Sequence, residues 1–231
     1  MMRLDRFLAH LGLGSRKDVR LLIRTRRVMI NEKVATKDSD QVNSSIDKVT
    51  LDGEPLIYKE FKYYLLNKPV GYVCANEDNL TATVMELNPD FNRFSLHTVG
   101  RLDKDTTGVL LLTNNGRLTH QLISPKYNIN KVYYAEVDQD LSDDLIQQFS
   151  DGFVVNNEYL TLPAKLEIIN PRFARLTLNE GKYHQVKRMF LHFGYKVISL
   201  HREQFHTLRV DDLAPGQSRE LTSEEETSLF V

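Results

Sequence analysis

Two carboxylates stand close together in the segment GRLDKDTTG, which spans residues 100–108. Asp103 and Asp105 lie among glycines and threonines, and the apolar run of residues 109–112 follows directly. Loops held by a rigid strand commonly carry catalytic residues, so Asp103 could act as a nucleophile or as a base. The same residue types also form turns in which side chains accept hydrogen bonds from the backbone. The motif alone therefore leaves a purely structural role open.

Residues 103–107 also fit Asp-x-Asp-x-Thr, the pattern of haloacid-dehalogenase-type phosphatases. In such a site an apolar strand should precede the first aspartate, because the sheet edge holds the nucleophile beside a magnesium ion. Here the apolar strand follows the two aspartates instead. A phosphatase therefore remains only an alternative interpretation of this motif.

A second segment with possible chemistry is EGKYHQVKRMF, residues 180–190. Val186, Met189 and Phe190 are spaced as on the buried face of a helix, which leaves Lys187 and Arg188 on the flanking faces. Both could be ordinary surface cations. Alternatively, one of them pairs with a catalytic carboxylate, since an opposite charge within about 4–6 Å keeps a carboxylate ionised.

Histidines and cysteine give little support for a metal site or a thiol nucleophile. His184, His192, His201 and His206 do not have the spacing of zinc ligands, and Cys74 has no cysteine partner. No basic residue adjoins Cys74 to lower the pKa of its thiol. We therefore expect no metal, and a packing role for Cys74.

Composition bounds the class of protein and its compartment. The chain has 231 residues, of which 41% are hydrophobic and 26% charged, and this length allows one large domain or a small and a larger one. A single cysteine and the lack of an export signal favour a reducing, cytoplasmic location. The longest apolar run, residues 109–112, is far too short to span a bilayer, so no membrane partner is expected.

The net charge of −1 conceals two basic regions. Residues 1–33 hold nine basic and three acidic side chains, a net charge of +6, and residues 181–209 have a net charge of +5. Either region could be a solvated face, but a basic face also suits a phosphate backbone.

The first basic region has the pattern of a small folded module. Leu4, Phe7, Leu8 and Leu11 have helical spacing, and Ser15 with Asp18 predicts the capped start of a second helix. At 100° per residue, four cations of that helix form one stripe: Lys17, Arg20, Arg24 and Arg27. Residues 28–34 predict two short strands about a tight turn, and Asp-Gly at residues 52–53 predicts a hairpin.

This module resembles the S-four-like RNA-binding domain, on the segments RLDRFLAHLGLGSR (residues 3–16) and RRVMINEKV (residues 26–34). It departs from the family at Glu32, where glycine is common. The resemblance implies a structured RNA as ligand, without naming a reaction. The cations expected to contact this RNA are Arg3, Arg6, Arg16, Lys17, Arg20, Arg24 and Arg27.

After a polar joint, the sequence changes to longer apolar runs, which places a domain boundary near residue 60. We expect strands at residues 63–66, 72–75, 109–113, 131–137 and 174–178, and helices at residues 118–123, 145–149 and 186–193. This mixture predicts an α+β protein: a small RNA-binding domain over residues 1–60, and a larger domain with a mostly antiparallel mixed sheet over residues 61–231.

Several segments along the chain have a characteristic order: LLNKPVGYVC (65–74), GRLDKDTTG, KVY (131–133), LPAKLEII (162–169), EGKYHQVKRMF, LHRE (200–203) and LAPG (213–216). On these segments nearly the whole chain resembles the ribosomal small subunit pseudouridine synthase A family. The resemblance implies an enzyme that isomerises one uridine of 16S rRNA to pseudouridine, at the small-subunit uridine 516 site, without metal or cofactor. Its partner would be 16S rRNA or the assembling small subunit, and the protein would be a monomer. The alternative is a non-catalytic rRNA-binding assembly factor.

The resemblance also implies roles for individual residues. Asp103 would be the catalytic aspartate, Tyr133 the aromatic residue that stacks on the target base, and Lys187 the cation paired with Asp103. Arg101 and Leu200 would complete the substrate-binding residues. After LHRE the chain reads Gln204-Phe205-His206-Thr207 where relatives have Ile-Gly-Gly, which makes the conformation of this loop, and with it the placement of Leu200, an open question.

Overall fold

The structure is a computed structural model that describes residues 1–230. The chain divides into two compact units. The first comprises Met1–Lys62 together with Arg93–Ser95, and the second comprises Tyr63–Asn92 and the chain from Leu96 onward.

The first unit contains two short helices and six short strands. They are β1 (Met2–Arg3), α1 (Leu4–His10), α2 (Arg16–Arg24), β2 (Val28–Ile30), β3 (Lys33–Val34), β4 (Gln41–Val42), β5 (Val49–Leu51) and β6 (Glu54–Pro55). Four strands form an antiparallel sheet in the order β3-β2-β5-β6, and β1 pairs with β4.

Local sequence accounts for most of this unit. Leu4, Phe7 and Leu8 of α1 pack in one core with Val19 and Ile23 of α2, as the spacing predicts. The predicted cap of α2 is present, because the Ser15 hydroxyl accepts the Asp18 N–H and the Asp18 carboxylate accepts the Ser15 N–H.

Both predicted hairpin turns form, and each uses positive φ angles. Asn31 and Glu32 connect β2 to β3 with φ of 48° and 68°, and Asp52 and Gly53 connect β5 to β6 with φ of 51° and 88°. Glu32 therefore occupies the left-handed region that glycine enters without a steric cost, and the turn still forms.

The predicted stripe of four cations on the second helix is wrong in one member. Helix α2 ends at Arg24, Thr25 caps it, and Arg26 turns the chain with a φ of 59°. Arg27 thus lies beyond the helix, where its guanidinium pairs with Asp52 of the hairpin.

The remaining elements surround one large sheet. The strands are β7 (Tyr63–Lys68), β8 (His97–Thr98), β9 (Thr106–Thr113), β10 (Lys131–Val137), β11 (Val154–Val155), β12 (Tyr159–Leu160), β13 (Lys165–Asn170), β14 (Phe173–Leu178), β15 (Val197–Phe205), β16 (Leu208–Arg209) and β17 (Ser218–Glu220). The helices are α3 (Pro89–Arg93), α4 (Gly116–Ile123), α5 (Asp144–Asp151), α6 (Gln185–His192) and α7 (Ser223–Ser228), with 3₁₀ turns at Val84–Glu86 and Pro125–Tyr127.

The sheet has the strand order β13-β14-β10-β15-β9-β7-β17, with β16 beside β15 and β8 beside β9. Only the β15–β9 pair is parallel among the described strands of this sheet. The predicted α+β class with a mostly antiparallel mixed sheet is confirmed. Residues of α5 and α6, including Phe149, Met189 and Phe190, pack in one core with Ala135 and Leu176 of the sheet.

Several predicted elements need correction. Residues 72–75 form no strand and contribute only an isolated bridge between Val73 and Thr83. The strand expected at 109–113 begins at Thr106, so part of the Asp103 segment belongs to the sheet. Strand β15 is absent from the predicted elements, because its alternation of charged and apolar residues lacks a long apolar run. The Gln204–Thr207 segment completes β15 and turns into β16, with His206 at a φ of 55°.

No helix within residues 1–230 has both the length and the apolar character that a membrane crossing needs.

Candidate active site

Asp103 lies at the end of a loop that leads directly into β9, with its side chain partly buried. Its carboxylate faces α6, where Lys187 Nζ lies 3.0 Å from Oδ2 and His184 Nε2 lies 3.5 Å from Oδ1. The Thr106 N–H donates to the Asp103 carbonyl at 3.1 Å, which closes the turn into the strand. The structure thus brings together the two segments that the sequence singled out.

Lys187 bridges both aspartates of the motif, since its Nζ also lies 2.5 Å from Asp105 Oδ1. Burial opposes the charged forms of Asp105 and Lys187. The hydrogen bond and the charge of Lys187 outweigh this, and the pKa of Asp105 lies below its usual value. In the same way, the two carboxylates overcome burial and raise the pKa of Lys187. Asp105 and Lys187 therefore remain charged at neutral pH, and Lys187 joins the two carboxylates in one cluster.

Helix α6 presents Lys187 to Asp103 because its other face is buried. Val186, Met189 and Phe190 pack in the core, as their spacing predicts. The turn before the helix is held by buried polar groups, where the Gln185 amide donates to Glu180 Oε1 at 2.6 Å and accepts the Lys182 N–H at 2.9 Å.

Lys68, at the end of β7, is fully buried and holds the Asp103 loop through hydrogen bonds. Its Nζ donates to the carbonyls of Pro69, Asp103 and Thr106 at 3.1, 3.0 and 2.8 Å, and the Lys104 carbonyl lies 3.4 Å away. Burial lowers the pKa of this ammonium, and nearby acidic groups oppose that shift. Three donors matched by three carbonyls fix the backbone on both sides of Asp103.

Three neighbouring strands line the cavity beside Asp103. Leu200 of β15 pairs with Thr106 of β9, and Tyr133 of β10 pairs with Arg202 of β15. Tyr133, Leu200 and Thr106 all line the same cavity as Asp103. Tyr133 is only 9% exposed and also belongs to the core, so one face of this residue packs while part of it borders the cavity.

The parallel contact of β9 and β15 depends on a glycine. A Cβ at Gly108, where φ is 103°, would lie 2.2 Å from the Arg202 carbonyl oxygen. Arg202 is itself buried, and its Nε and Nη2 donate to the Val109 carbonyl at 2.9 and 2.7 Å. This packing keeps Leu200 beside Thr106 despite the unusual Gln204–Thr207 segment.

Arg101 is exposed and lines the cavity beside Asp103. It forms no ion pair within residues 1–230, in contrast to Lys187. A carboxyl group next to an aromatic ring, an aliphatic side chain and an unpaired guanidinium suits nucleophilic attack or proton transfer on a planar, anionic substrate.

The cations expected to bind RNA in the first unit fall into two groups. Arg3, Arg20 and Arg27 pair with acidic groups: Arg3 with Asp5, Arg20 with Asp38, and Arg27 with Asp52. The other four are exposed and form no ion pair within residues 1–230; they are Arg6, Arg16, Lys17 and Arg24. Four of the seven line one groove of about 480 Å³: Arg3, Arg6, Arg16 and Arg20.

Sequence reasoning misses Lys68, His184 and Thr106 as site residues. Lys68 has a detectable pattern, since a lysine that ends the apolar run YYLLNK is a candidate for burial with a specific partner. The sequence position of His184 relative to the other histidines argues only against zinc binding. It does not indicate that His184 lies beside Asp103. The Thr106 hydroxyl is buried without a hydrogen-bond partner, which only the packing of β9 reveals.

Among residues 1–230, no group of three or more histidine, cysteine, aspartate or glutamate side chains is placed to hold a metal ion.

Comparisons with known proteins agree on one family. Residues 62–192 match the profile of RNA pseudouridylate synthase, and residues 2–45 match the S4 domain. The chain is 44% identical to a ribosomal small subunit pseudouridine synthase A of Yersinia pestis, over 99% of this chain and 98% of the relative. It is 43% identical to the uncharacterized RNA pseudouridine synthase YtzG of Bacillus subtilis, over 97% and 96% of the two chains. A crystal structure of a pseudouridylate synthase matches with a TM-score of 0.70 and 35% identity, over 99% of this chain and 100% of the other.

Proposed function

Because this chain belongs to the RNA pseudouridylate synthase family, we propose that it converts one uridine of 16S ribosomal RNA, at the small-subunit uridine 516 site, into pseudouridine. The full-length similarity to a ribosomal small subunit pseudouridine synthase A supports the choice of RNA. The protein acts in the cytoplasm as a monomer, on 16S rRNA or on the assembling small subunit.

The reaction exchanges one glycosidic bond for another. The bond between ribose C1′ and uracil N1 breaks, the base rotates, and C1′ bonds to C5. C5 loses its proton and N1 gains one, so the product is an isomer and no electrons are supplied. The Asp103 carboxylate either attacks C1′ or assists the formation of a glycal, and no cofactor takes part.

The single observation that carries this proposal is the Asp103–Lys187 pair beside the cavity lined by Tyr133. Lys187 holds the carboxylate in position, as nucleophilic or base catalysis requires. The target base must leave its stack, which costs a few kcal/mol, and stacking on Tyr133 returns about 1–3 kcal/mol. Leu200 packs against the base, and Arg101 contacts the RNA beside it.

Residues 1–60 form the domain that docks on the RNA. Two observations support this assignment. Residues 2–45 match the S4 domain, and this region has the exposed cations Arg6, Arg16, Lys17 and Arg24. Arg3, Arg20 and Arg27 belong to the same surface, although each already pairs with a carboxylate.

Replacing Asp103 with Asn tests the catalytic assignment. Asp103→Asn keeps the shape of the side chain but removes the charge, so we expect kcat to fall by about 10⁴-fold or more. RNA affinity should change less than about threefold, because the cations remain. Pseudouridine formation is measured in 16S rRNA transcripts and in small subunits from cells that lack the protein.

Asp105→Asn is the matched control, because Asp105 shares Lys187 with Asp103 but its side chain is 69% exposed. We expect this variant to lose no more than about tenfold in kcat, the modest contribution of an exposed charge. Full activity of Asp103→Asn would reject Asp103 as the catalytic group. If even the unaltered protein leaves 16S rRNA unmodified, the proposed substrate is wrong.

A further inference from the structure

A second groove adjoins the cavity beside Asp103 within the same unit. It has a volume of about 520 Å³ and shares Arg101, Asp103 and His184 with that cavity. Its other lining residues include Tyr183 and Lys104. The groove therefore leads from the Asp103 carboxylate to the protein surface.

An exposed stack of two rings borders this groove. Tyr183 is 74% exposed, and its ring stacks on the His184 ring with centroids 3.8 Å apart and an angle of 17° between the planes. The other end of this stack lies at the catalytic carboxylate, since His184 Nε2 is 3.5 Å from Asp103 Oδ1. A large exposed aromatic ring has an apolar face in contact with water. Covering that face with a ligand is favourable.

The turn that carries these rings is built to hold them there. His184 adopts a left-handed conformation with φ of 49°, which is uncommon for a residue with a side chain. Directly after it, Gln185 is buried and tied to Glu180. The turn therefore fixes the His184 ring before any ligand binds. A ligand that stacks on the pair then loses less conformational entropy, because only the Tyr183 ring has to be ordered.

Charge in the groove suits a phosphate. Arg101 and Lys104 are exposed and form no ion pair within residues 1–230. Lys182 also lines the groove, but its Nζ already donates to the Leu160 carbonyl at 3.1 Å. Asp78 is the acidic residue there apart from Asp103, and it accepts the backbone N–H groups of Leu80 and Thr81.

We propose that this groove binds the nucleotide next to the target uridine, with its base stacked on Tyr183 and its phosphate beside Arg101 and Lys104. The proposal rests on the proposed function, because it assumes that a uridine lies at Asp103. A nucleotide beside an extruded base loses a stacking partner, and an aromatic ring can replace that partner for any base. Tyr183 is thus a positioning residue for the RNA.

The test combines a change in the protein with a change in the RNA. Tyr183→Leu removes the aromatic face, and Tyr183→Phe keeps it. Each protein is assayed on a 16S rRNA fragment and on two fragments that carry an abasic nucleotide, one on each side of the target uridine. We expect Tyr183→Leu to raise KM about tenfold on the unmodified fragment, with kcat changed less than about threefold. Tyr183→Phe should behave as the unaltered protein.

The decisive result is the loss of this effect when the stacked base is missing. One of the two abasic fragments should bind the unaltered protein about tenfold more weakly, and Tyr183→Leu should weaken its binding no further. Tyr127→Leu is the control, because Tyr127 is also exposed, at 47%, but lines neither the cavity nor the groove. It should leave KM unchanged.

Two results would overturn the proposal. An equal loss for Tyr183→Leu on all three fragments would mean that the ring only supports His184 and contacts no base. No loss on any fragment would mean that the ring is unused. Dissociation constants measured with the Asp103→Asn protein repeat the comparison without turnover, so an error about the reaction can be told apart from an error about this groove.

Discussion

The Asp103 site and the basic surface of the first unit both depend on cations, but they hold them in opposite ways. Lys187 and Lys68 are tied to oxygen atoms of the protein, and Lys68 is fully buried. Arg16 and Arg24 are exposed and form no ion pair within residues 1–230. The first arrangement fixes geometry, whereas the second attracts a polyanion from solution.

This difference determines what a substitution should change. A buried cation that holds carboxylates or carbonyls acts at short range and is little affected by salt. An exposed cation gains its free energy mainly by releasing counterions from RNA, so its effect depends on salt concentration. Substitutions at the Asp103 site should therefore change kcat or stability, and those on the basic surface should change affinity.

Among substitutions of these cations, Lys187→Met should have the largest effect. It leaves Asp103 and Asp105 without their shared cation, and we expect kcat to fall about 100-fold, as when one charged group is removed from a reacting centre. Because Lys187 holds the pKa of Asp105 below its usual value, its loss should also raise the pKa of that carboxyl. The fall in kcat is measured from single-turnover rates at neutral pH, and the pKa of Asp105 from an NMR titration of its carboxyl group.

Arg188→Met is the matched control for Lys187→Met. Arg188 is the next residue of α6 and also forms an ion pair, but its partner is Glu158 at 2.5 Å. Its loss should leave kcat and the pKa of Asp105 unchanged. Equal changes in both variants would show that α6 tolerates no lost ion pair, and that Lys187 has no special relation to Asp103.

Lys68→Met should have the next largest effect, on stability as well as on kcat. It leaves the carbonyls of Asp103, Thr106 and Pro69 buried without their donor, and each buried unsatisfied group costs about 1–3 kcal/mol. We expect the free energy of unfolding to fall by about 3 kcal/mol in urea titrations. Because the backbone beside Asp103 loses its support, kcat should fall about tenfold in protein that is still folded.

Lys131→Met is the control for Lys68→Met, since Lys131 is also a buried lysine of the sheet but donates to one carbonyl, that of Ile129. Burial lowers the pKa of Lys131 from 10.5 to about 8, so the folded protein disfavours its charged form. At pH 7 this variant should be as stable as the unaltered protein or more so. That advantage should shrink as the pH rises from about 8 to 10.5, because the unaltered lysine then loses its proton in the folded state while the unfolded chain still holds it. Equal destabilisation by both substitutions at pH 7 would contradict the role assigned to Lys68.

The contrast between the two regions also shows what sequence reasoning can reach. The capped helix after Ser15, the two hairpins and strand β10 are predictable, because each depends on neighbours within a few residues. The end of α2 is not predictable, because the residue with the positive φ is Arg26 and not a glycine, which would have indicated the turn.

Within the candidate site, single motifs leave several interpretations open for Asp103 and Lys187. Their proximity follows from a family resemblance and from the fold, and not from spacing, since they are far apart in the chain. The sequence marks Lys68 only as a candidate for burial, and it gives no sign of Thr106. The surroundings of both residues come from the pairing of β7, β9 and β15. These strands lie far apart in the chain, so no local pattern shows which of them pair.

The smallest effects are expected on the basic surface, where two arginines make a matched pair. Arg24 is exposed and without an ion pair within residues 1–230, whereas Arg27 pairs with Asp52. Arg24→Ala should weaken RNA binding about threefold near physiological salt and reduce the slope of log K against log salt by about 0.7–0.9. Arg27→Ala should reduce that slope by less than half as much, because its cation is already partly neutralised.

Arg20→Ala should behave like Arg27→Ala, since Asp38 lies 2.8 Å from the Arg20 guanidinium. The measurement is fluorescence anisotropy with a 16S rRNA fragment at several salt concentrations, using the Asp103→Asn protein so that the RNA is not modified. If all three variants leave the salt slope unchanged, this surface only keeps the protein in solution. If Arg20 and Arg27 change it as much as Arg24 does, RNA displaces Asp38 and Asp52, and the ion pairs are exchanged on binding rather than kept.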